Sequence, residues 1–268
     1  MSFKPLKGIL ADIVEHKMYE MAERKKACSI ERLMRDIETM PPARDFRSAL
    51  QRSGGPLKLL AEIKAASPSA GAIRGDFKAA DIASLYENGG ASAVSVLTDQ
   101  KYFSGADEHL QAAHAAVSLP VLRKDFTIDE YQLYESRALG ADAVLLMAQI
   151  LTEGTYADLY RKARQLGLHV LAEGHTQEQI RFVVSIGAEV IGVNNRDFDV
   201  MTTDLQTTLQ CRSLVPPDRV LVSQSGICTR EDVIPLDKAG VDAIQVGTSL
   251  MKDDDIKGQI DRLLGKFS

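Results

Sequence analysis

Cysteine is scarce: the 268 residues hold Cys28, Cys211 and Cys228, with no C-x-x-C spacing. So scattered and odd a set excludes a disulfide framework and a cysteine zinc site, fits a reducing compartment, and reads as structural. Long apolar runs are missing too. The longest, from Ala143 through Ala148 toward Leu151, is interrupted by Gln149 and falls far short of the roughly 20 residues needed to span a bilayer. Asp12 and Glu15 stand where a secretory peptide would carry its apolar region, so the expected location is the cytoplasm. No basic block exceeds Arg24-Lys25-Lys26, and 32 Lys+Arg against 37 Asp+Glu leave a formal net charge of −5. Neither nucleic acid nor a membrane is an expected partner. G-x-G-x-x-G and H-E-x-x-H do not occur, the spacing from Gly258 to Gly265-Lys266 is too long for a Walker loop, and the five histidines are scattered. No metal or nucleotide site is expected.

What is present is a globular composition, 45% hydrophobic and 26% charged, able to bury a large core. It also holds an internal repeat. A helical stretch ending in glycine runs into a short apolar segment four times: GGASAVSVL from Gly89, LGADAVLLM from Leu139, IGAEVIGVN from Ile186 and AGVDAIQVG from Ala239. Four further apolar runs alternate with these, from Leu57, Leu119, Leu168 and Asp218. Apolar spacing between the runs is helical, as over Asp129 to Leu139 and Tyr156 to Leu166. Eight alternating strand–helix units predict a (β/α)8 TIM barrel, an α/β fold whose strands are buried on both faces. An open doubly wound sheet is the less favoured arrangement, because the repeat is fourfold. Residues 1–58, with Leu6, Ile9, Leu10, Ile13, Met18 and Met21 at helical spacing, predict a helical extension packed on a barrel of residues 59–268, within one domain overall.

Barrel active sites sit at the C-terminal ends of the strands. Aligning the odd-numbered strands puts Glu62, Lys124, Glu173 and Gln224 at one level, with Lys64 two residues past Glu62 on the same side. Frayed surface positions, or an ion-pair network that only fixes register, would be the bland explanation. Burying four charges where barrels ordinarily place branched apolar residues costs several kcal/mol per unpaired ion, which favours function. Lysine beside glutamate in a desolvated mouth suits general acid–base chemistry. On the even strands, Asn194 offers an amide for a substrate hydroxyl and Arg196 a charge for a carboxylate or phosphate. Ser225-Gly226 and Gly247-Thr248 end the last two strands, the recurrent phosphate position of this architecture, with a short helix expected from about Ser249. A phosphorylated substrate follows from position.

These residues resemble one family along nearly the whole chain: indole-3-glycerol phosphate synthase of tryptophan biosynthesis. The resemblance rests on Glu62-Ile63-Lys64 with Ser67-Pro68-Ser69, Ser95-Val96-Leu97-Thr98 with Phe103 and Gly105, and Leu122-Arg123-Lys124-Asp125-Phe126. It continues through Leu171-Ala172-Glu173-Gly174-His175, Gly192-Val193-Asn194-Asn195-Arg196-Asp197, Ser225-Gly226-Ile227 and Val246-Gly247 to Leu250-Met251, and includes Ile9 to Ile13 with Lys17. It implies a cofactor-free carboxy-lyase that closes the indole ring of 1-(2-carboxyphenylamino)-1-deoxyribulose 5-phosphate with loss of CO2 and water. It also implies roles: Lys124 as general acid on the ribulose carbonyl, Glu173 as acid/base for proton removal and dehydration, and Lys64, oriented by Glu62, on the anthranilate carboxylate. Asn194 would hold a hydroxyl. Phe103, Phe126 and Leu146 would sandwich the aromatic ring, and Ser67, Ser225, Gly226, Gly247 and Thr248 would hold the phosphate and nearby hydroxyls. A monomer is expected, and association with other enzymes of the tryptophan pathway is allowed for.

The chain departs from the family pattern where it carries Gln224 in place of the usual glutamate. Gln224 keeps hydrogen-bonding capacity and a place at the substrate, but it loses a negative charge, expected to remove a favourable partner from Lys64 or Lys124. Ala65 and Ala70 stand where lysines are common, and Gly174 where valine is usual. A divergent paralogue of altered substrate or reduced activity, a non-catalytic binder of a sugar phosphate, and a phosphoribosyl amine isomerase remain the alternatives.

Overall fold

Four of the glycines in the left-handed region fall in the repeat. Gly90, Gly140, Gly187 and Gly240, from the four copies of the repeat, have φ of +89°, +90°, +81° and +74°, a conformation that costs an L side chain about 1–2 kcal/mol. Each ends a helix and turns the backbone into the next strand. In this computed structural model, residues 2–67, 71–72 and 77–266 are described.

The strands are β1 (Lys58–Ile63), β2 (Ala93–Leu97), β3 (Val121–Lys124), β4 (Ala143–Met147), β5 (His169–Gly174), β6 (Val190–Asn194), β7 (Val220–Gln224) and β8 (Ala243–Val246). All pair in parallel with their sequence neighbours, and β8 closes on β1. The chain is thus a (β/α)8 barrel. β2, β4, β6 and β7 are buried at every position, as strands covered on both faces must be. A short antiparallel pair, Ala66–Ser67 with Gly71–Ala72, lies above β1 in sequence.

α1 (Gly8–Ala27), α2 (Ile30–Glu38) and α3 (Phe46–Leu50) precede β1, and α4 (Ala79–Gly89) follows it. α5 (Gln100–Phe103) and α6 (Asp107–Ala116) connect β2 to β3, and α7 (Glu130–Ala138), α8 (Glu153–Gln165) and α9 (Gln177–Ser185) follow β3, β4 and β5. α10 (Gln206–Cys211) and α11 (Arg230–Lys238) follow β6 and β7; α12 (Thr248–Lys252) and α13 (Ile256–Leu264) close the chain. No helix among the described residues is long and apolar enough to cross a membrane.

α1 contributes Leu10, Ile13 and Val14 to the same apolar core as the barrel, while Met18, expected on that face, is exposed. Lys17 takes part in the burial instead. It has no solvent exposure and lies 2.8 Å from Glu20, 3.0 Å from Asp99 and 2.9 Å from Asp125. Burial alone would lower the lysine, but the three carboxylates outweigh it and hold it above its ordinary value. Burial likewise works to raise Asp125, and Lys17 and Arg123 bring it down to about 2. This network joins the extension to the loops after β2 and β3, which carry site residues. The opposite end of the barrel is pinned by repeat acids: Asp142 accepts from the Val121 and Arg44 amides at 2.8 and 2.7 Å, and Asp242 from the Leu221 amide at 2.9 Å.

Candidate active site

A cavity of about 380 Å³ opens at the C-terminal ends of the strands, within the usual size range for small-molecule sites. Its floor is built by alternate strands. Glu62 on β1 accepts from Lys124 Nζ at 2.7 Å through Oε2 and from Lys64 Nζ at 2.8 Å through Oε1. Glu173 on β5 accepts from Asn194 Nδ2 at 3.1 Å through Oε1 and from Gln224 Nε2 at 2.9 Å through Oε2. Alternate strands, carrying Glu62, Lys124, Glu173 and Gln224, thus place their polar ends at one height, as a barrel layer requires.

The two carboxylates are driven in opposite directions. Burial pushes Glu62 upward, yet Lys124 and Lys64 more than reverse this and hold it well below the ordinary carboxylate range. Burial also pushes Glu173 up, and here Lys124, Asn194 and Gln224 only moderate it, so Glu173 stays above its ordinary value. Glu62 is a fixed counter-ion for two lysines. Glu173 is poised to exchange a proton, the separation of roles that paired acid–base sites display.

One wall is aromatic. Phe103 on α5 and Phe126 after β3 face each other with centroids 6.1 Å apart at 37°, and both line the cavity. Leu146 lies outside the lining, contrary to the expectation that it would clasp the ring. Strand alternation turns its side chain away from the barrel interior, and its neighbours Leu145 and Met147 line the cavity in its place. Phe198, after β6, adds a third aromatic lining residue.

The opposite wall is made by Ser225, Gly226, Gly247 and Thr248, with Lys252 of α12 beside them. Ser225 has φ of +68°, followed by Gly226 at +80°. A serine is held there at a cost of about 1–2 kcal/mol because Asn195 Nδ2 grips Ser225 O and Ser223 Oγ, both at 3.0 Å. Such over-determined strain is characteristic of binding loops. Space alone holds Gly247 to glycine: a Cβ there would lie 2.6 Å from Glu62 Oε1. Of the expected phosphate group, Ser67 is placed by its backbone alone, and its side chain, with Pro68, Ser69 and Ala70, falls outside the described residues.

Asn194 and Arg196 both line the cavity. Asn194 Oδ1 accepts from the Arg196 amide at 3.0 Å and its backbone carbonyl from His175 Nδ1 at 2.7 Å, which fixes the amide; beyond the bond to Glu173, its second N–H has no partner among the described residues. Gln224 belongs to the floor but not to the lining, and its contacts are with Glu173 and Gln245; the lysines expected to feel its lost charge pair with Glu62 instead. Gln245, like Phe198 and Lys252, is a lining residue that sequence reasoning missed. A lone amide inside the apolar run Ala243-Ile244-Gln245-Val246 was the available signal. Among the described residues no cluster of three or more His, Cys, Asp or Glu side chains is arranged to hold a metal ion.

Comparison with known proteins gives a concordant result. The family model described as indole-3-glycerol phosphate synthase matches residues 10–263. The indole-3-glycerol phosphate synthase of Clostridium acetobutylicum is 42% identical over 252 residues, covering 93% of this chain and 95% of that protein. Among solved structures, thiamine phosphate pyrophosphorylase from Pyrococcus furiosus superposes with a TM-score of 0.60 at 16% identity, covering 82% of this chain and 96% of the other. A chain of the tryptophan synthase a2b2 complex from the same organism gives 0.58 at 14%, covering 78% and 97%. At these identities both establish a shared barrel and nothing about chemistry.

Proposed function

The chain belongs to the indole-3-glycerol phosphate synthase family, an enzyme of tryptophan biosynthesis, and from that premise we propose how its own residues carry out a carboxy-lyase reaction. The substrate is 1-(2-carboxyphenylamino)-1-deoxyribulose 5-phosphate. The observation that carries this reading is the convergence of Lys124 and Lys64 on Glu62 in the same floor in which Glu173 is held by amides.

The phosphate lies against Ser225, Gly226, Gly247 and Thr248, where glycine permits close approach of backbone N–H groups. The aryl ring occupies the Phe103–Phe126 wall, and Lys64 receives its carboxylate. These anchors bring the ring carbon that bears the carboxylate to the ribulose carbonyl carbon, so that the bimolecular encounter is settled on binding. As the new carbon–carbon bond forms, the carbonyl oxygen gains negative charge and takes a proton from Lys124 Nζ, which Glu62 holds in position. The carboxylate then leaves as CO2, its electron pair returning to the ring. Glu173 removes the remaining proton and serves the departure of the hydroxyl as water, while Asn194 holds a neighbouring hydroxyl. Each role asks for a group whose environment suits it: a cation kept in place by an ionised partner, and a buried carboxylate raised toward neutrality.

The test is a steady-state assay on the carboxyphenylamino-deoxyribulose phosphate, following indole fluorescence. Wild-type turnover should be measurable, and Lys124→Ala should reduce kcat by about 10²-fold or more, the range for a lost general acid. An unaffected rate in Lys124→Ala would remove Lys124 from the mechanism.

A further inference from the structure

Two amides in the barrel floor form an element that the scheme above does not use. Gln224 on β7 and Gln245 on β8 are register partners and are both buried. Gln224 Nε2 lies 2.9 Å from Glu173 Oε2 and 2.7 Å from Gln245 Oε1, so both of its N–H groups donate. Gln245 Nε2 lies 2.8 Å from Glu62 Oε2 and 3.4 Å from Ser95 Oγ. One unbroken chain therefore runs from Glu173 through the two amides to Glu62 and on to Lys124.

The chain has a direction, and its origin can be located. Glu62 is kept ionised by two lysines, so its oxygen can only accept. Gln245 must then present its N–H edge to Glu62 and its carbonyl to Gln224. Gln224 must in turn present its N–H edge to that carbonyl and, with the same nitrogen, to Glu173. Turning the Gln224 amide over would set Oε1 against two acceptors, unless Glu173 carried a proton to donate. The observed orientation leaves Gln224 Oε1 buried without a hydrogen-bond partner among the described residues, packed where a Cβ on Gly192 would come within 2.1 Å of it. A buried carbonyl without a partner is unfavourable in itself. The orientation persists because the Gln245 carbonyl takes the second N–H.

We propose that Gln245 and Gln224 are positioning residues that transmit the orientation set by the Glu62 ion pairs across the barrel floor, presenting Glu173 to the substrate as a hydrogen-bond acceptor. The proposal rests on the indole-forming reading of the site and adds to it how the proton acceptor is kept ready. The charged and titratable groups that face Glu173 are Lys124 on β3 and Glu62 on β1, with the Tyr156 phenol of α8 behind it. Neither glutamine titrates, so the orientation they transmit does not change with pH until Glu173 or Glu62 does.

The experiment uses Gln245→Met and Gln224→Met, which keep approximate volume and remove the hydrogen bonds. Protonation of Glu173 is followed by the infrared absorption of its carboxyl group, with Glu173→Gln as the subtraction, and the acid limb of kcat/KM is measured alongside. Gln245→Met should move the Glu173 titration upward by about one pH unit, although Gln245 does not touch Glu173. Gln224→Met should do the same. The double variant should titrate as Gln224→Met alone, because Gln245 acts only through Gln224. An unmoved titration in Gln245→Met, or additive shifts in the double variant, would overturn the proposal. So would a lowered melting temperature with no shift, which would leave the amides a packing role only. Gln245→Leu takes the place of Gln245→Met should the latter not fold. Infrared titration does not require turnover, so a wild-type protein that forms no indole product would refute the reaction while the amide chain is still decided.

Discussion

Lys17→Met should unsettle both the stability of the barrel and the aromatic wall of its mouth. The side chain is fully buried among Glu20, Asp99 and Asp125, and removing one partner from a buried ionic cluster costs about 3–5 kcal/mol because the remaining charges stay uncompensated. Asp125 gives an independent gauge. A carboxyl held near 2 against an ordinary 3.8 represents about 2 kcal/mol of preference for its ionised form, and Lys17 is its foremost cationic partner. For a chain of this size, the loss corresponds to a melting temperature lower by about 10 °C. The pH dependence has a definite sign. The Asp125 contribution is present above its unfolded value and lost as pH falls toward 2. The Lys17 contribution, from a pKa raised above 10.5, is present below that value and lost only in strong alkali. The gap between wild type and variant should therefore be flat from about pH 4 to about pH 10 and narrow below. Urea unfolding across this range supplies the measurement. Function should follow, because Asp99 caps α5 through the Tyr102 amide at 2.8 Å, and Asp125 Oδ1 accepts from the Phe126 amide at 2.8 Å. KM should rise more than kcat falls. A destabilisation below about 1 kcal/mol, typical of an exposed pair, or a gap independent of pH down to about 3, would refute the reasoning.

Gly247→Ala places a Cβ 2.6 Å from Glu62 Oε1 and should displace Glu62 from its lysines, lowering kcat by about tenfold or more; a rate equal to wild type would show that the floor adjusts freely. Leu146→Ala should cost about 2–5 kcal/mol in urea unfolding, as a buried leucine does, while leaving KM unchanged. Phe126→Ala should raise KM, and the reverse pattern would place Leu146 at the ring. Glu173 is raised above its ordinary value by burial, so if it acts as acceptor in the free enzyme, kcat/KM should fall as pH drops through that raised value. The limb should vanish in Glu173→Gln, and a limb that survives there belongs to another group.

Much of the site was legible because strand registers in a parallel barrel are short-range consequences of the repeat. Glu62, Lys124 and Glu173 could be brought to one height by aligning apolar runs, and the structure places them around one cavity. Leu146 shows where that reasoning fails: in a strand buried on both faces, leucines point inward and outward alike, and hydrophobicity does not say which. Gln245 shows a different failure. A single amide in an apolar run has no meaning until its partner across the register, Gln224, is known. Gln224 stands out in the sequence as the departure from the family pattern, but a one-dimensional reading points its influence at the lysines, whereas the fold sets it against Glu173.

By itself the sequence determined the alternation of elements, the glycines that end the helices and the identity of the charged groups at the strand ends, because each depends on residues a few positions apart. Only the tertiary structure decided how the charges were shared. Glu62 takes both lysines, while Glu173, left with amides, is raised by burial. Lys17, a residue of the leading helix, became the buried centre of a network with Asp99 and Asp125. Ionisation and orientation depend on which groups approach within a few ångströms and how much water remains between them, and closing the barrel sets both.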